Sequence, residues 1–219
     1  MLHKISLICA SIICQILHNL TEFLLANLTI YERLCCYISS FDSWAYLASI
    51  RYMSPTLTTI MKFITDIGSG YFIIFVCLVL LAIPWTRKNY ALRVIVSVII
   101  AAALNLILKN IFQRPRPDIL RLVAETDYSF PSGHAMNNIA LYGSIVLISW
   151  EKLKNLNMKI VITCLSVILV GAIGFSRVYL GVHYASDIIG GWAFGLIVVW
   201  IVFKTLGKQK TTVIASRTK

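Results

Sequence analysis

The sequence predicts an all-α, polytopic membrane protein with six transmembrane helices and an additional extracytoplasmic interfacial helix. Three observations carry that expectation. The 219 residues are 58% hydrophobic and only 13% charged, whereas a soluble domain is roughly 45–50% apolar and about 25% charged. Mean hydropathy is +0.81, and six stretches approach the ~20 apolar residues that a helix needs to cross hydrocarbon. The Lys and Arg residues, finally, gather in alternate connections between those stretches.

The first stretch, 5–27, follows Lys4 and shows no small-residue cleavage site. It carries His18, Asn19 and Glu22 toward its far end, so it reads as a membrane helix and not as a removed signal peptide. Segment 29–59 interleaves Glu32, Arg33, Asp42 and Arg51 with aromatics, a pattern suited to a helix lying in the interface. Ser54 and Pro55 then read as an N-cap and a first helical position. The remaining spans are placed at 60–85, 91–110, 135–150, 159–176 and 187–204. No polar stretch is long enough for a second domain, so residues 1–219 form one membrane-embedded unit. Its basic tail, 205–219, is attracted to anionic lipid and disordered at its end. No internal repeat is present, and Asn19-Leu20-Thr21 and Asn27-Leu28-Thr29 are chance matches to the glycosylation pattern. Cys9, Cys14, Cys77 and Cys164 lie in apolar runs and read as small core hydrophobes. The adjacent Cys35 and Cys36 lie outside such a run, and their state stays open.

Twenty Lys and Arg against nine Asp and Glu give a net charge of +11. A nucleic-acid partner is excluded, because it requires a solvated basic face that so apolar a chain does not offer. Topology explains the excess instead. Six spans put both termini on one side, and that side collects Lys4, the 85–93 and 151–159 connections and the tail. Twelve of the twenty positive residues fall there with one acid, Glu151, while the remaining eight positives are balanced by eight acids. By the positive-inside rule the termini are cytoplasmic, and 28–59, 111–134 and 177–186 face outward.

The last two outward segments hold the chemistry. Lys109 stands at the outer end of the third span, followed by Arg114, Pro115, Arg116 and Pro117, which end the helix. Lys109 alone reads equally as a snorkelling boundary residue, and the two arginines alone as rim charges. Pro131-Ser132-Gly133-His134 precedes the fourth span, where backbone N–H groups and the helix dipole offer an anion site; a plain helix cap with an incidental histidine is the competing reading. His183 and Asp187 lie four apart, so on a helix they share a face. The carboxylate then orients the imidazole and makes its other nitrogen more basic. An ionisable pair at a membrane boundary is costly unless it works.

Taken together, Lys109, Arg116 and Pro117, then Pro131 to His134, then Ser176, Arg177, His183 and Asp187 resemble the three spaced motifs of the type 2 phosphatidic acid phosphatase family, with no departure at those positions. The short chain is most similar to the bacterial members. The resemblance implies a lipid phosphatase of the cytoplasmic membrane with its site on the outer face. His183 would be the nucleophile, forming a phosphohistidine. His134 would be the general acid and base, and Asp187 would orient His183. Lys109, Arg116, Ser132, Gly133 and Arg177 would bind the substrate phosphate. Three cations then take the place of a metal, and no cofactor is expected. The expected partners are a lipid phosphate substrate and membrane lipids. Undecaprenyl diphosphate and phosphatidylglycerophosphate are the leading substrates; phosphatidic acid, a lipid A phosphate or transfer to another acceptor are alternatives. A transporter that merely captures anionic headgroups is the rival outside enzymes, and it leaves His134 and the His183–Asp187 pair without a purpose. Oligomeric state is left open.

Overall fold

The computed structural model describes residues 2–118 and 120–217, and every regular element among them is helical. Two compact units divide at Asp42. The described residues of the first unit, 2–42, belong to helix α1, which spans Leu2–Arg51. From Asn19 to Phe41 the side chains described on it are exposed. The sequence reading placed a membrane span at 5–27 and a separate interfacial helix at 29–59. One helix instead joins the first segment to the second and runs unbroken to Arg51, because no glycine or proline occurs before Pro55.

The second unit, Ser43–Lys219, contains the remaining elements. Ser54 caps α2 (Pro55–Ile67) by accepting the Leu57 N–H at 3.2 Å, with Pro55 at the first helical position, as expected. The single span expected at 60–85 is broken. α2 and α3 (Gly70–Ala82) meet at 44° across Gly68 and Ser69. Ser69 starts the new helix by capping Phe72 N, and a Cβ on Gly68 would meet Ile173 at 2.5 Å. A short turn, α4 (Pro84–Thr86), and a π turn, 87–91, lead into α5 (Leu92–Phe112). Next come α6 (Gly133–Asn138), a second π turn at 139–143 and α7 (Ser144–Lys152). The last two elements are α8 (Leu156–Tyr179) and α9 (Ala185–Arg217).

Among the described residues, three helices are long and apolar enough to cross a membrane: α5, α8 and the Ala185–Gly207 part of α9. The bent α2–α3 pair makes a fourth if counted as one span. Six are expected from the sequence, and most side chains of the first, 5–27, lie outside the described residues. The stretch at 135–150 is helical throughout, from Gly133 to Lys152, with a π turn at 139–143 between α6 and α7. α9 continues beyond the expected end at 204 to Arg217. Lys219 and the side chains of Lys4, Lys208, Lys210 and Arg217 lie outside the described residues.

The outward side chains of α5 are mostly apolar and its inward stripe is small or polar. On α5, Ile99, Leu106, Ile107 and Ile111 are exposed, whereas Ser97, Ala101, Asn105 and Lys109, spaced by four, are buried. That spacing keeps one stripe facing the bundle. α6 and α9 approach closely at glycines: a Cβ on Gly191 would meet the Ser132 carbonyl at 2.8 Å, and one on Gly195 would meet Ile139 at 2.7 Å. A core of Ala101, Met136, Ala140, Val198, Val199 and Val202 fills the space below. At the opposite end of α5, Arg93 pairs with Glu151 at 2.9 Å and lies over the Phe203 ring.

Candidate active site

Helix ends build the site. Lys109 sits in the last turn of α5, which Gln113 closes in the left-handed conformation (φ 45°) with its N–H on the Lys109 carbonyl. Arg177 ends α8, while Gly133 and His134 start α6 and Asp187 lies in the first turn of α9. The α8–α9 link turns at Gly181, whose φ of +71° and proximity to the Leu120 carbonyl exclude a side chain. Segment 113–132 crosses over this end and is pinned by Leu122 N–H to Leu180 O at 3.0 Å and Ser129 N–H to Arg114 O at 2.8 Å.

These elements enclose a cavity of about 210 Å³ lined by Lys109, Arg116, Gly133, His134, Arg177 and His183, together with Asn105, Glu125 and Asp127. Six of the eight residues singled out from the sequence therefore share one wall. Ser132 and Asp187 stand behind it, both fully buried. The Ser132 hydroxyl caps α6 by accepting the Ala135 N–H, and its own N–H donates to the Asp187 carbonyl at 3.1 Å. Asp187 reaches the cavity only through His183.

His183 is 2% exposed. Its Nδ1 lies 3.4 Å from Asp187 Oδ2, and its Nε2 lies 3.3 Å from an Arg116 amine. Burial, assisted by Arg116 and Arg177, pushes the imidazole down to about 4 against the raising influence of Asp187. The ring is therefore neutral at pH 7, and Nδ1–H donating to the carboxylate leaves the Nε2 lone pair toward the cavity. Asp187 is held from several sides: Tyr184 N–H at 2.8 Å, the Ser129 hydroxyl, and Arg114 Nη1 at 2.5 Å. Arg114 also bonds Ser186 and stacks on Tyr184. The sequence reading of Arg114 as a rim charge is thus corrected: its target is the carboxylate that orients His183.

His134 stands just ahead of the span expected from residue 135. Burial, then the nearby Arg177, His183, Lys109 and Arg116, hold its ring far below the usual histidine range. Arg116 is fixed by the Val182 and Asp127 carbonyls at 2.8 and 2.7 Å, and Arg177 by Thr65 at 3.0 Å. All three cations also meet acids. Asp127 pairs with Lys109 and Arg116; Glu125 pairs with Arg177 and lies 3.7 Å from Arg116. Burial works to raise the Asp127 carboxyl, but the hydrogen bonds from Lys109 and Arg116 outweigh it and hold it low.

Sequence reasoning missed Glu125, Asp127 and Asn105. Asn105 is four residues before Lys109 on the buried stripe, a readable signal, and its amide donates to Pro131 O at 3.0 Å. The two acids carried none, since one loop carboxylate looks like another until the cations converge on it.

Comparison with known proteins gives a consistent result. Residues 90–211 match the PAP2 superfamily. Phosphatidylglycerophosphatase B of Bacillus subtilis is 32% identical over 75% of this chain and 83% of its own length. An undecaprenyl-diphosphatase of Sulfolobus acidocaldarius is 32% identical over 71% and 72%. Among solved structures, a transmembrane PAP2-type phosphatidylglycerolphosphate phosphatase from Bacillus subtilis superposes with a TM-score of 0.72 at 31% identity, covering 78% of this chain and 87% of that one. LpxE of Aquifex aeolicus, at 24% identity and a TM-score of 0.60 over 73% and 92%, shares the fold.

Proposed function

The chain belongs to the PAP2 superfamily and is a membrane lipid phosphatase, and we propose that it hydrolyses a terminal phosphate of phosphatidylglycerophosphate or undecaprenyl diphosphate, at the outer face of the cytoplasmic membrane, through a phosphohistidine. One observation carries this reading: the Nε2 of the Asp187-held His183, 3.3 Å from Arg116, faces a cavity that Lys109, Arg177 and His134 also line.

The steps follow from the residues. Lys109, Arg116 and Arg177 clamp the non-bridging oxygens, with the Gly133 N–H at the start of α6 adding a donor. The Ser132 hydroxyl acts from behind the wall, where it caps the helix whose start faces the phosphate. His183 Nε2 attacks phosphorus while the bond to the lipid oxygen breaks, and His134 gives that oxygen its proton. Burial, and then the neighbouring cations, hold the His134 ring low, and a phosphate oxygen brought against it supplies a direct partner for its protonated form. Water then attacks the phosphohistidine, His134 takes the water's proton, and the P–N bond breaks to release inorganic phosphate. Charge stabilisation comes from side chains throughout, so no metal is required. A cavity of about 210 Å³ receives the phosphate and leaves the acyl or prenyl tail in lipid.

Purified full-length protein in detergent should release phosphate from at least one of phosphatidylglycerophosphate, undecaprenyl diphosphate and phosphatidic acid in excess EDTA. Acid-labile phosphate should be trapped on the wild type and not on His183→Ala. Activity that required added divalent metal, or trapping that survived the substitution, would overturn the mechanism.

A further inference from the structure

The three cations assigned to phosphate are already engaged by carboxylates. Asp127 bridges Lys109 and Arg116, and Glu125 holds Arg177 and approaches Arg116 at 3.7 Å. Both acids lie on residues 124–128, between the backbone anchors at Leu122 and Ser129. Arg116 grips this strap through the Asp127 carbonyl at 2.7 Å, so the backbone is held at both ends and once between. The side chains are freer: 29% of Glu125 and 51% of Asp127 is exposed, against 7%, 4% and 3% for Lys109, Arg116 and Arg177. Rotation of the two carboxylates toward solvent uncovers the cations without moving the strap.

We propose that Glu125 and Asp127 are specificity-determining residues, which compete with substrate for the clamp and thereby select a dianionic terminal phosphate over the phosphodiesters of the surrounding bilayer. The inference rests on the proposed phosphatase reading and adds the residues that set its substrate class. Three cations with two carboxylates carry a net +1. Replacing both carboxylates with one phosphate dianion keeps that charge, so the exchange leaves no buried cation uncompensated. A phosphodiester is a monoanion. It replaces only one carboxylate's worth of charge, and either leaves a buried cation unpaired, which is strongly unfavourable, or shares the cavity with the second acid. The bulk phospholipids that surround the mouth of the site are therefore poor occupants, whatever their concentration.

The test reads anion binding, separately from turnover, on the full-length protein in detergent. Inorganic phosphate and dimethyl phosphate are titrated calorimetrically into wild type, Glu125→Gln, Asp127→Asn and the double variant, with thermal midpoints recorded for each. The expected result is phosphate binding tighter by about tenfold in the double variant, the size of a ~1.4 kcal/mol advantage, with a larger gain for dimethyl phosphate, so that selectivity between the two narrows. Unchanged or weaker phosphate binding in folded variants overturns the proposal. A second measurement needs no substitution. Carbodiimide labelling of wild-type carboxyls, read by mass spectrometry, should rise at Glu125 and Asp127 when saturating sulfate, an unreactive dianion, is added. Labelling that stays level or falls overturns the proposal too. Should the wild type bind phosphate as described but hydrolyse no lipid phosphate, the phosphatase reading fails while the exchange stands.

Discussion

At the scale of single residues, the proposed mechanism divides the chemistry between a nitrogen that reacts and groups that only hold it. His183→Ala removes the attacking atom and should leave no turnover above background. Asp187→Asn keeps the ring in place through the remaining contacts of the loop and should retain a residue of activity, about 10²- to 10⁴-fold below wild type; equal, complete loss in the two folded variants would refute the division of roles. Arg114 is absent from the cavity wall and acts on Asp187 at 2.5 Å, so Arg114→Ala should lower kcat about tenfold with KM nearly unchanged. The same geometry sets a pH dependence. Burial disfavours the His183 imidazolium and brings its pKa down to about 4, so the ring stays neutral and nucleophilic well below the ordinary ~6.5. The acid limb of kcat/KM, corrected for ionisation of the substrate phosphate, should fall near pH 4. Since Asp187 raises that pKa, the limb of Asp187→Asn should move to still lower pH.

At the scale of elements, close backbone approach places His134, the proposed general acid. His134 rides on α6, and α6 is held against α9 where Gly191 and Gly195 leave room. A Cβ at Gly195 would meet Ile139 at 2.7 Å and the Met136 carbonyl at 2.8 Å, whereas one at Gly171 on α8 meets nothing within 4 Å. Gly195→Ala should therefore cost about 1–3 kcal/mol through overpacking, lower the thermal midpoint in detergent, and reduce activity as α6 shifts. Gly171→Ala should raise stability slightly, because glycine within a helix is unfavourable by up to ~1 kcal/mol relative to alanine; equal effects at the two sites would show that α6–α9 contact is not limiting. Legibility differed in the same way between elements. α5, α8 and the apolar part of α9 were readable because each is a long apolar run. The break at Gly68 and Ser69 was not, since hydropathy continues across it while the capping hydroxyl and the approach of Ile173 are local and tertiary. The π turn after Asn138 left no composition signal at all, and the continuity of α1 was obscured by its polar residues. In the site, motif spacing led to the cations and histidines, but the partners of those cations depend on how segment 113–132 folds back, which no spacing encodes.

At the scale of the whole molecule, two chemically different ends are separated by the length of the spanning helices. On α5, Arg93 belongs to one end and Lys109 to the other, sixteen residues apart, or about 24 Å at 1.5 Å per residue. That approaches the ~30 Å of bilayer hydrocarbon. The Arg93 end holds a surplus of positive residues: Arg93 paired with Glu151, Lys159 over Trp150 and Lys204 over Trp200. The Lys109 end balances its cations against Glu125, Asp127 and Asp187. The proposed orientation follows the positive-inside rule, with the first end cytoplasmic and the balanced end, with the cavity, outside. This orientation can be tested in intact cells after replacing the six native cysteines and introducing one at a time. Asp118, whose side chain is 96% exposed on the segment over the cavity, and Lys154, exposed on the α7–α8 connection, mark the two ends. An impermeant maleimide should label Asp118→Cys directly and Lys154→Cys only after permeabilisation. The reverse pattern would put the site on the cytoplasmic leaflet, and the substrate would then have to be presented there, ahead of any transfer across the membrane.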